Sequence, residues 1–230
     1  MDPQVLSAMA RWPDVPAVFG WLSLSEAGQW RLHPLGDALN QPESPGESIT
    51  SPQILAFMDR NYSCDEAGQW YFQNGPQRVY VRLDAAPYTV HTTTDTGSGR
   101  LKLRTHTGLD VNEIHELYLD ETGRLYAATD RGPALVSGRD LTTLFDSFEL
   151  AGTSQKADQN SDLAEVIAQC IDSGEPVLLR STLTQGFSKG AVALRPCARA
   201  SLESTLRFRR RPSEATPRST SMPASKPGAG

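Results

Sequence analysis

Residues 63–90 read SCDEAGQWYFQNGPQRVYVRLDAAPYTV, and this stretch decides the fold. Asp65 opens a turn, because its side chain accepts backbone N–H groups just downstream. Gly68 closes that turn by taking a left-handed conformation without a Cβ clash. Asn74-Gly75 signals a second, tighter hairpin. Pro76 has no N–H to donate and suits a strand edge or the first residue of a strand. From Arg78 the pattern alternates: Val79, Val81 and Leu83 share one side, and Arg78, Tyr80 and Arg82 share the other. That is the signature of a half-buried antiparallel strand. Trp70 and Tyr71 also alternate, so one of the two is expected in the core and the other beside the arginine stripe.

Working outward, the same plan recurs. Residues 117–137, LYLDETGRLYAATDRGPALVS, again read strand, Asp-Glu-x-Gly turn, strand, Gly-Pro turn, strand. LSEAGQWRL at 24–32 is a fainter copy of the first half. The inference is an internal duplication of an antiparallel β-meander, whose units pack together because neither closes a core alone. Between the copies, LKLRTH and EIHELYL read as strands, and DTGSG as a loop.

Short helices surround this framework. Val5, Leu6, Met9 and Trp12 have helical spacing, ended by Pro13. Ser51-Pro52 is a helix start, with Ser51 expected to cap the free amides and Pro52 at a position whose N–H has no partner. Leu163, Val166, Ile167, Cys170 and Ile171 form the apolar face of a helix stopped by Gly174. EPVLLRS and GAVALRP read as late strands. The expected fold class is α+β: duplicated antiparallel β-meander units, a few short helices and a disordered C-terminal tail. Residues 1–150 form the duplicated domain, 151–196 a helix–strand extension packing on it, and 197–230 an Arg/Ser/Pro-rich tail.

Composition narrows the functional classes. The net charge of −5 conceals an acidic body and a basic end. Residues 195–230 carry eight Lys/Arg against two acids. An acidic body disfavours a broad nucleic-acid footprint, so no DNA partner is expected. No apolar run is long enough to enter a bilayer as a spanning helix. The N-terminus has no basic leader followed by an apolar run. Cys64, Cys170 and Cys197 are odd in number and far apart, which points to unpaired thiols and a cytoplasmic location.

The segments WPDVPAVFGWLSL, SPQILAFMDRNYSCDEAGQWYFQNGPQRVYVRLDAAPY and LDETGRLYAATDRG closely resemble an uncharacterised proteobacterial family of unknown function, over about residues 1–150. Residues 51–90 are also similar to a second unknown-function family, in which a helix precedes a strand pair ending Asp-Ala-Pro-Phe/Tyr. The ending here, Asp84-Ala85-Ala86-Pro87-Tyr88, is one residue longer. The second resemblance implies an α+β fold with repeated motifs and a ligand-binding or signalling role. Neither supplies a catalytic residue. Past residue 150 the resemblance thins, and the Arg-rich end departs from it.

Candidate chemistry is sparse. Asp65/Glu66 and Asp120/Glu121 are paired carboxylates, but both pairs sit in turns that Asp itself builds. His33, His91, His106 and His115 lack metal-ligand spacing, so no metal or other cofactor is expected. There is no Gly-x-Ser-x-Gly elbow and no phosphate loop. No catalytic constellation stands out, and the chain is not expected to be an enzyme. The best candidate site is the polar stripe Arg78, Tyr80 and Arg82, with Trp70 and Asn74 beside it. Two guanidinium groups flanking a phenol suit a carboxylate or phosphate. The plainer alternative is a solvent face paired with acids such as Asp84 or Glu116. The sequence thus favours a non-catalytic module binding a small anionic ligand. An assembly factor docking a protein partner by strand addition at edges carrying Pro76 and Pro133 comes second, and a hydrolase third.

Overall fold

The chain is described here from a computed structural model covering residues 1–97, 99, 101–151, 159–181 and 190–213. The expected loop at DTGSG and the linker at 151–161 fall partly outside the described residues, and the end of the tail, 214–230, falls wholly outside them.

Helix α1 (Pro3–Arg11) leads into β1 (Val18–Leu24), β2 (Trp30–Leu32) and β3 (Glu47–Ser48). Helix α2 (Pro52–Arg60) follows, then β4 (Tyr62–Cys64), β5 (Trp70–Asn74) and β6 (Gln77–Leu83). These six strands form one sheet in the order β3-β2-β1-β6-β5-β4. The chain then makes β7 (Tyr88–Thr94), β8 (Leu101–Thr105), β9 (Asp110–Val111), β10 (Ile114–Leu119), β11 (Leu125–Thr129) and β12 (Gly132–Val136). In the second sheet they lie in the order β9-β8-β7-β12-β11-β10. Adding six to each strand number of the first sheet gives the second. The duplication is therefore larger than a meander: each unit is two three-stranded antiparallel meanders joined by a crossover.

The LSEAGQWRL hairpin is β1–β2, the first half of a β1–β2–β3 meander and the counterpart of β7–β8. Its first strand pairs in parallel with the last strand of the later meander of the same unit, β1 with β6, as β7 does with β12. Both sheets are consequently mixed, and β6 and β12 are interior strands. Pro76 precedes β6 and Pro133 lies within β12, so neither sits on a sheet edge. The second sheet also grows beyond β10. Helix α3 (Leu141–Phe145), β13 (Phe148–Leu150), α4 (Gln159–Ser173), β14 (Val177–Ser181) and β15 (Val192–Pro196) complete it. β15 pairs in parallel with β10, and β14 and β13 extend outward antiparallel. Gly174, with φ of +76°, ends α4 as its sequence implies.

Four turns share one hydrogen-bond pattern, at residues 25–29, 65–69, 105–109 and 120–124. In each, the first residue's N–H donates to the carbonyl of the fifth and the fourth donates back to the carbonyl of the first. In each, the first side chain also accepts the fifth N–H: Ser25, Asp65, Thr105 and Asp120. The fourth residue is glycine every time, with φ between +75° and +84°. The Thr105 turn has threonine where the other three have aspartate or serine. Ser51, in contrast, makes no side-chain cap on α2.

One interior serves both units. Trp30, Tyr62 and Trp70 from the first sheet meet Tyr88 and His106 from the second. Ring centroids lie 4.8 Å apart for Tyr62–Trp70, 5.1 Å for Trp70–Tyr88 and 5.7 Å for Tyr88–His106. Tilted and edge-on contacts of this kind add to the area that the rings bury. Two of the polar ends are paired: the Trp30 indole donates to Asp59 Oδ1 at 2.9 Å and the Tyr62 hydroxyl donates to the Pro87 carbonyl at 3.1 Å.

The C-terminal segment is folded well past residue 197. A 3₁₀ turn at Arg199–Ser201 runs into α5 (Leu202–Leu206), with Leu202, Leu206 and Phe208 buried in the common core. Arg207 takes the left-handed conformation that ends α5. Arg209 then bridges in parallel to Gln69, and the Leu83 N–H donates to the Arg210 carbonyl at 2.8 Å. The expected disordered tail does not begin at 197. A pair of leucines four apart and one phenylalanine suffice to anchor the segment.

Candidate functional site

Strand β6 puts Arg78, Tyr80 and Arg82 on the side of the first sheet facing away from α2, as the alternation requires. Tyr71 lies beside them, with the Arg78 guanidinium 4.7 Å above its ring. Tyr80 stacks on Phe19 at 4.6 Å and donates its hydroxyl to Asp65 Oδ2 at 3.0 Å. Arg82 is 4% exposed. It donates to the carbonyls of Ala38 at 2.8 Å, Gln41 at 3.2 Å and Ser44 at 3.3 Å, and pairs with Asp84 at 3.1 Å. Trp70 is in the aromatic interior, and Asn74 is on the opposite face from the stripe, at the mouth of a different hollow. The five candidate residues thus occupy three separate environments. The stripe is largely tied to its own protein.

The two Asp turns show where polar capacity remains. Asp65 Oδ1 accepts the N–H groups of Ala67 and Gln69, and Asp120 Oδ1 those of Thr122 and Arg124. The second oxygens differ. Asp65 Oδ2 takes the Tyr80 hydroxyl, and also Gln69 Nε2 at 3.3 Å. In the second unit the residue matching Tyr80 is Leu135, since Tyr71 pairs with Tyr80 as Tyr126 pairs with Leu135. Asp120 Oδ2 is buried and has no partner. Burial pushes the Asp120 carboxyl up, but hydrogen bonds from Thr122 and Arg124 outweigh it and hold it below the usual carboxylate value. Burial, with the Asp120 charge next, pushes the Tyr126 hydroxyl up.

Beside this turn the C-terminal segment encloses a recess of about 570 Å³. Arg82, Arg199, Arg209, Arg210 and Arg211 line it, against three carboxylates, Glu26, Asp84 and Glu203. Glu26 sits in the β1–β2 turn and links the recess to the second unit, pairing with Arg124 at 2.9 Å and Arg199 at 3.7 Å. Arg210 donates to the Arg199 carbonyl at 3.1 Å, and Arg211 to that of Leu39. Among the described residues, eight buried side-chain polar atoms lack a hydrogen-bond partner; two of them, Arg82 Nε and Arg210 Nε, belong to residues lining the recess, and three more, Arg124 Nη1, Asp120 Oδ2 and the Tyr126 hydroxyl, to the adjoining turn and strand of the second unit. A buried donor or acceptor left unpaired costs about 1–3 kcal/mol, so their concentration in one place sets this region apart. Guanidinium groups stay protonated, so the recess offers fixed positive charge and directed N–H groups.

Arg199, Arg209, Arg210 and Arg211 were not candidates from sequence, because the segment read as a solvated tail. The signal that finds them is the Leu202/Leu206/Phe208 spacing, which ties the arginines to the core. The histidines are dispersed. His33 lies 2.9 Å from the Ser23 hydroxyl, His91 3.4 Å from Asp140, His106 is in the aromatic interior and His115 is near Glu113. Among the described residues, no three His, Cys, Asp or Glu side chains converge as metal ligands. No helix among them is long and apolar enough to cross a membrane.

No curated protein matches the chain. Two solved structures resemble it. A DUF1285 family protein from Silicibacter pomeroyi DSS-3 is 19% identical, with 66% of this chain and 87% of that one covered and a TM-score of 0.43. A DUF1285 family protein from Shewanella baltica OS155 is 12% identical, with 54% and 89% covered and a TM-score of 0.38. At these scores the likeness carries no argument about fold or function. A family model described as "Protein of unknown function (DUF2946)" matches residues 1–213, past the point where the motif resemblance thins and through the arginine-lined segment. The chain belongs to that family, DUF2944.

Proposed function

We propose that the protein is a non-catalytic regulatory module that binds a small anionic ligand in the recess between the end of β6, the β1–β2 turn and the C-terminal arginines. The observation that carries this reading is Arg82. A guanidinium 4% exposed, lining a recess and holding a buried Nε with no partner, sits beside a second such Nε on Arg210. Buried cations are expensive unless fully paired. An anion seated among these arginines adds charge and hydrogen bonds to a cluster in which five guanidinium groups face three carboxylates. Bidentate guanidinium contacts favour a carboxylate or phosphate. Compared with the stripe favoured by sequence, the ligand shifts to one end of it: Arg82 remains, and Arg199 and Arg209 replace Arg78 and Tyr80.

The test is thermal-shift and calorimetric titration with inorganic phosphate, pyrophosphate and citrate, with native mass spectrometry of the purified protein for a retained ligand. Arg199→Ala and Arg209→Ala are expected to leave the unliganded melting temperature nearly unchanged and to weaken binding at least tenfold, about 1.4 kcal/mol. Arg78→Ala is expected to leave binding intact. If no anion binds and none is retained, the reading fails.

A further inference from the structure

A second hollow lies on the opposite face of β6, where no arginine reaches. Its volume is about 700 Å³, within the range of small-molecule pockets. Its floor is apolar: Leu22, Met58, Phe72 and Val79, all buried. It exists because α2 has nine residues, about 13 Å of helix, which cannot roof the whole inner face of the first sheet. The far end of that face is covered by the second sheet; this end is open. Three large apolar side chains stand exposed around the mouth: Trp21 at 43%, Leu32 at 38% and Ile54 at 52%. Trp21 is brought there by a bulge in β1, where the register shifts between Val18 and Leu22. Gly20 makes the bulge, at φ of +83°, and a Cβ on it would meet the Gly36 carbonyl oxygen at 2.2 Å.

We infer that this cleft binds a small amphiphile with an alkyl or aromatic body and an uncharged polar head. Concavity on this scale, rather than a flat patch, favours a small molecule over a protein face. The charge of the walls selects the head. No Lys, Arg or His lines the cleft, and its one ionisable residue is Glu47. An anionic head would meet a carboxylate with no cation to offset it. The side-chain amides of Asn74 and Gln77 line the cleft; Gln77 Nε2 donates to the Pro16 carbonyl at 3.2 Å, which leaves its second N–H and its carbonyl oxygen, and Asn74 both donates and accepts. They suit a hydroxyl, amide or carbonyl group. This is the environment in which the structure places Asn74. The cleft and the arginine recess lie on opposite faces of one strand, so occupancy of either is measured independently of the other.

The test uses the full chain and N-phenyl-1-naphthylamine, an uncharged fluorescent probe, displaced by 1-octanol, 1-decanol and decanoate. The probe is expected to bind with one-to-one stoichiometry. Each added methylene is expected to tighten the alcohols by up to about fourfold until the cleft is full, and decanoate is expected to bind at least tenfold more weakly than 1-decanol. Ile54→Asp, at an exposed position, is expected to abolish probe binding with an unchanged circular dichroism spectrum. Gln77→Ala is expected to weaken 1-decanol and spare the naphthylamine. Absence of probe binding by the unmodified protein overturns the inference, as does decanoate binding as tightly as the alcohol. A concentration-dependent dimer that Ile54→Asp dissolves also overturns it, since a second copy would then be the occupant.

Discussion

The two six-stranded units, residues 18–83 and 88–136, share a topology and a matching Asp turn, at Asp65 and Asp120, but differ in how they settle their polar groups. In the first, Asp65, Tyr80, Arg82 and Asp84 bond one another or nearby carbonyls, with Arg82 Nε and Gln73 Oε1 left over. In the second, Leu135 replaces the tyrosine, and Asp120 Oδ2, Arg124 Nη1 and the Tyr126 hydroxyl are left unpaired under the C-terminal arginines. Coverings differ as well. Met9, Trp12 and Pro13 border the stripe in the first unit, whereas Glu26 of the β1–β2 turn and Arg199 contact the Asp120 turn of the second through Arg124 and Glu121. The lesson is that a duplicated fold conserves what holds the backbone, namely turn side chains, glycines and the apolar floor. Unpaired polar capacity collects where one copy has changed and a later segment has closed over it.

The largest expected effect tests whether the copies share one interior. His106 comes from the second unit and is packed against Trp30 and Tyr62 of the first. Its Nδ1 accepts the Thr89 N–H, so Nε2 carries the proton, buried and unpaired. Burial depresses its pKa from 6.5 to about 3. Between those values the unfolded chain binds a proton that the folded chain refuses. This contribution is therefore complete above pH 6.5 and is lost as pH falls toward 3, by at most about 1.4 kcal/mol per pH unit. From pH 6 to pH 4, stability is expected to drop by up to about 3 kcal/mol more in the wild type than in His106→Asn, measured by urea unfolding. Tryptophan emission and circular dichroism should report one coincident transition. Two separated transitions would break the idea of a shared core.

A smaller effect separates the two aspartates. A double-mutant cycle on Asp65→Ala and Tyr80→Phe should give a coupling of about 1.5 kcal/mol, the strength of a hydrogen bond to a charged group. The matching cycle on Asp120→Ala and Leu135→Ala should give less than about 0.5 kcal/mol. Equal couplings would erase the difference between the units.

The smallest effect compares glycines. Gly68 and Gly123 hold the same left-handed position, at φ of +77° and +79°. An added Cβ at Gly123 meets nothing, whereas at Gly68 it lies 2.6 Å from the Arg207 carbonyl oxygen. Gly123→Ala is expected to cost about 1 kcal/mol from backbone strain alone. Gly68→Ala should cost roughly 1 kcal/mol more and weaken anion binding, because it pushes the arginine segment off the first unit. Equal costs would mean that the segment yields freely.

Much of the local structure was legible. The Asp-Glu-x-Gly motifs gave their turns, Asn74-Gly75 its hairpin, and the alternation in β6 its two faces, because each depends on residues within a few positions of one another. That one of Trp70 and Tyr71 is core and the other beside the stripe followed from the same period, but which of them is core did not. The duplication was legible as repeated motifs but not in its full extent. Parallel pairing of β1 with β6 and β7 with β12 joins strands more than fifty and forty residues apart, and no local pattern encodes it. The site was the least legible part. Charge alternation marks a face as polar without saying which of its groups are already bonded.

The sequence by itself determined the turns, the strand faces, the helix ends and the family, since short-range hydrogen bonding, steric freedom at glycine and hydrophobic period act within the chain's own neighbourhood. Only the tertiary structure decided that Arg82 is buried, that Asp120 and Tyr126 lack partners, and that an arginine-rich end is clamped by Leu202, Leu206 and Phe208 rather than solvated. Those outcomes depend on which distant segments arrive at a given surface and on how much polar capacity they leave unpaired.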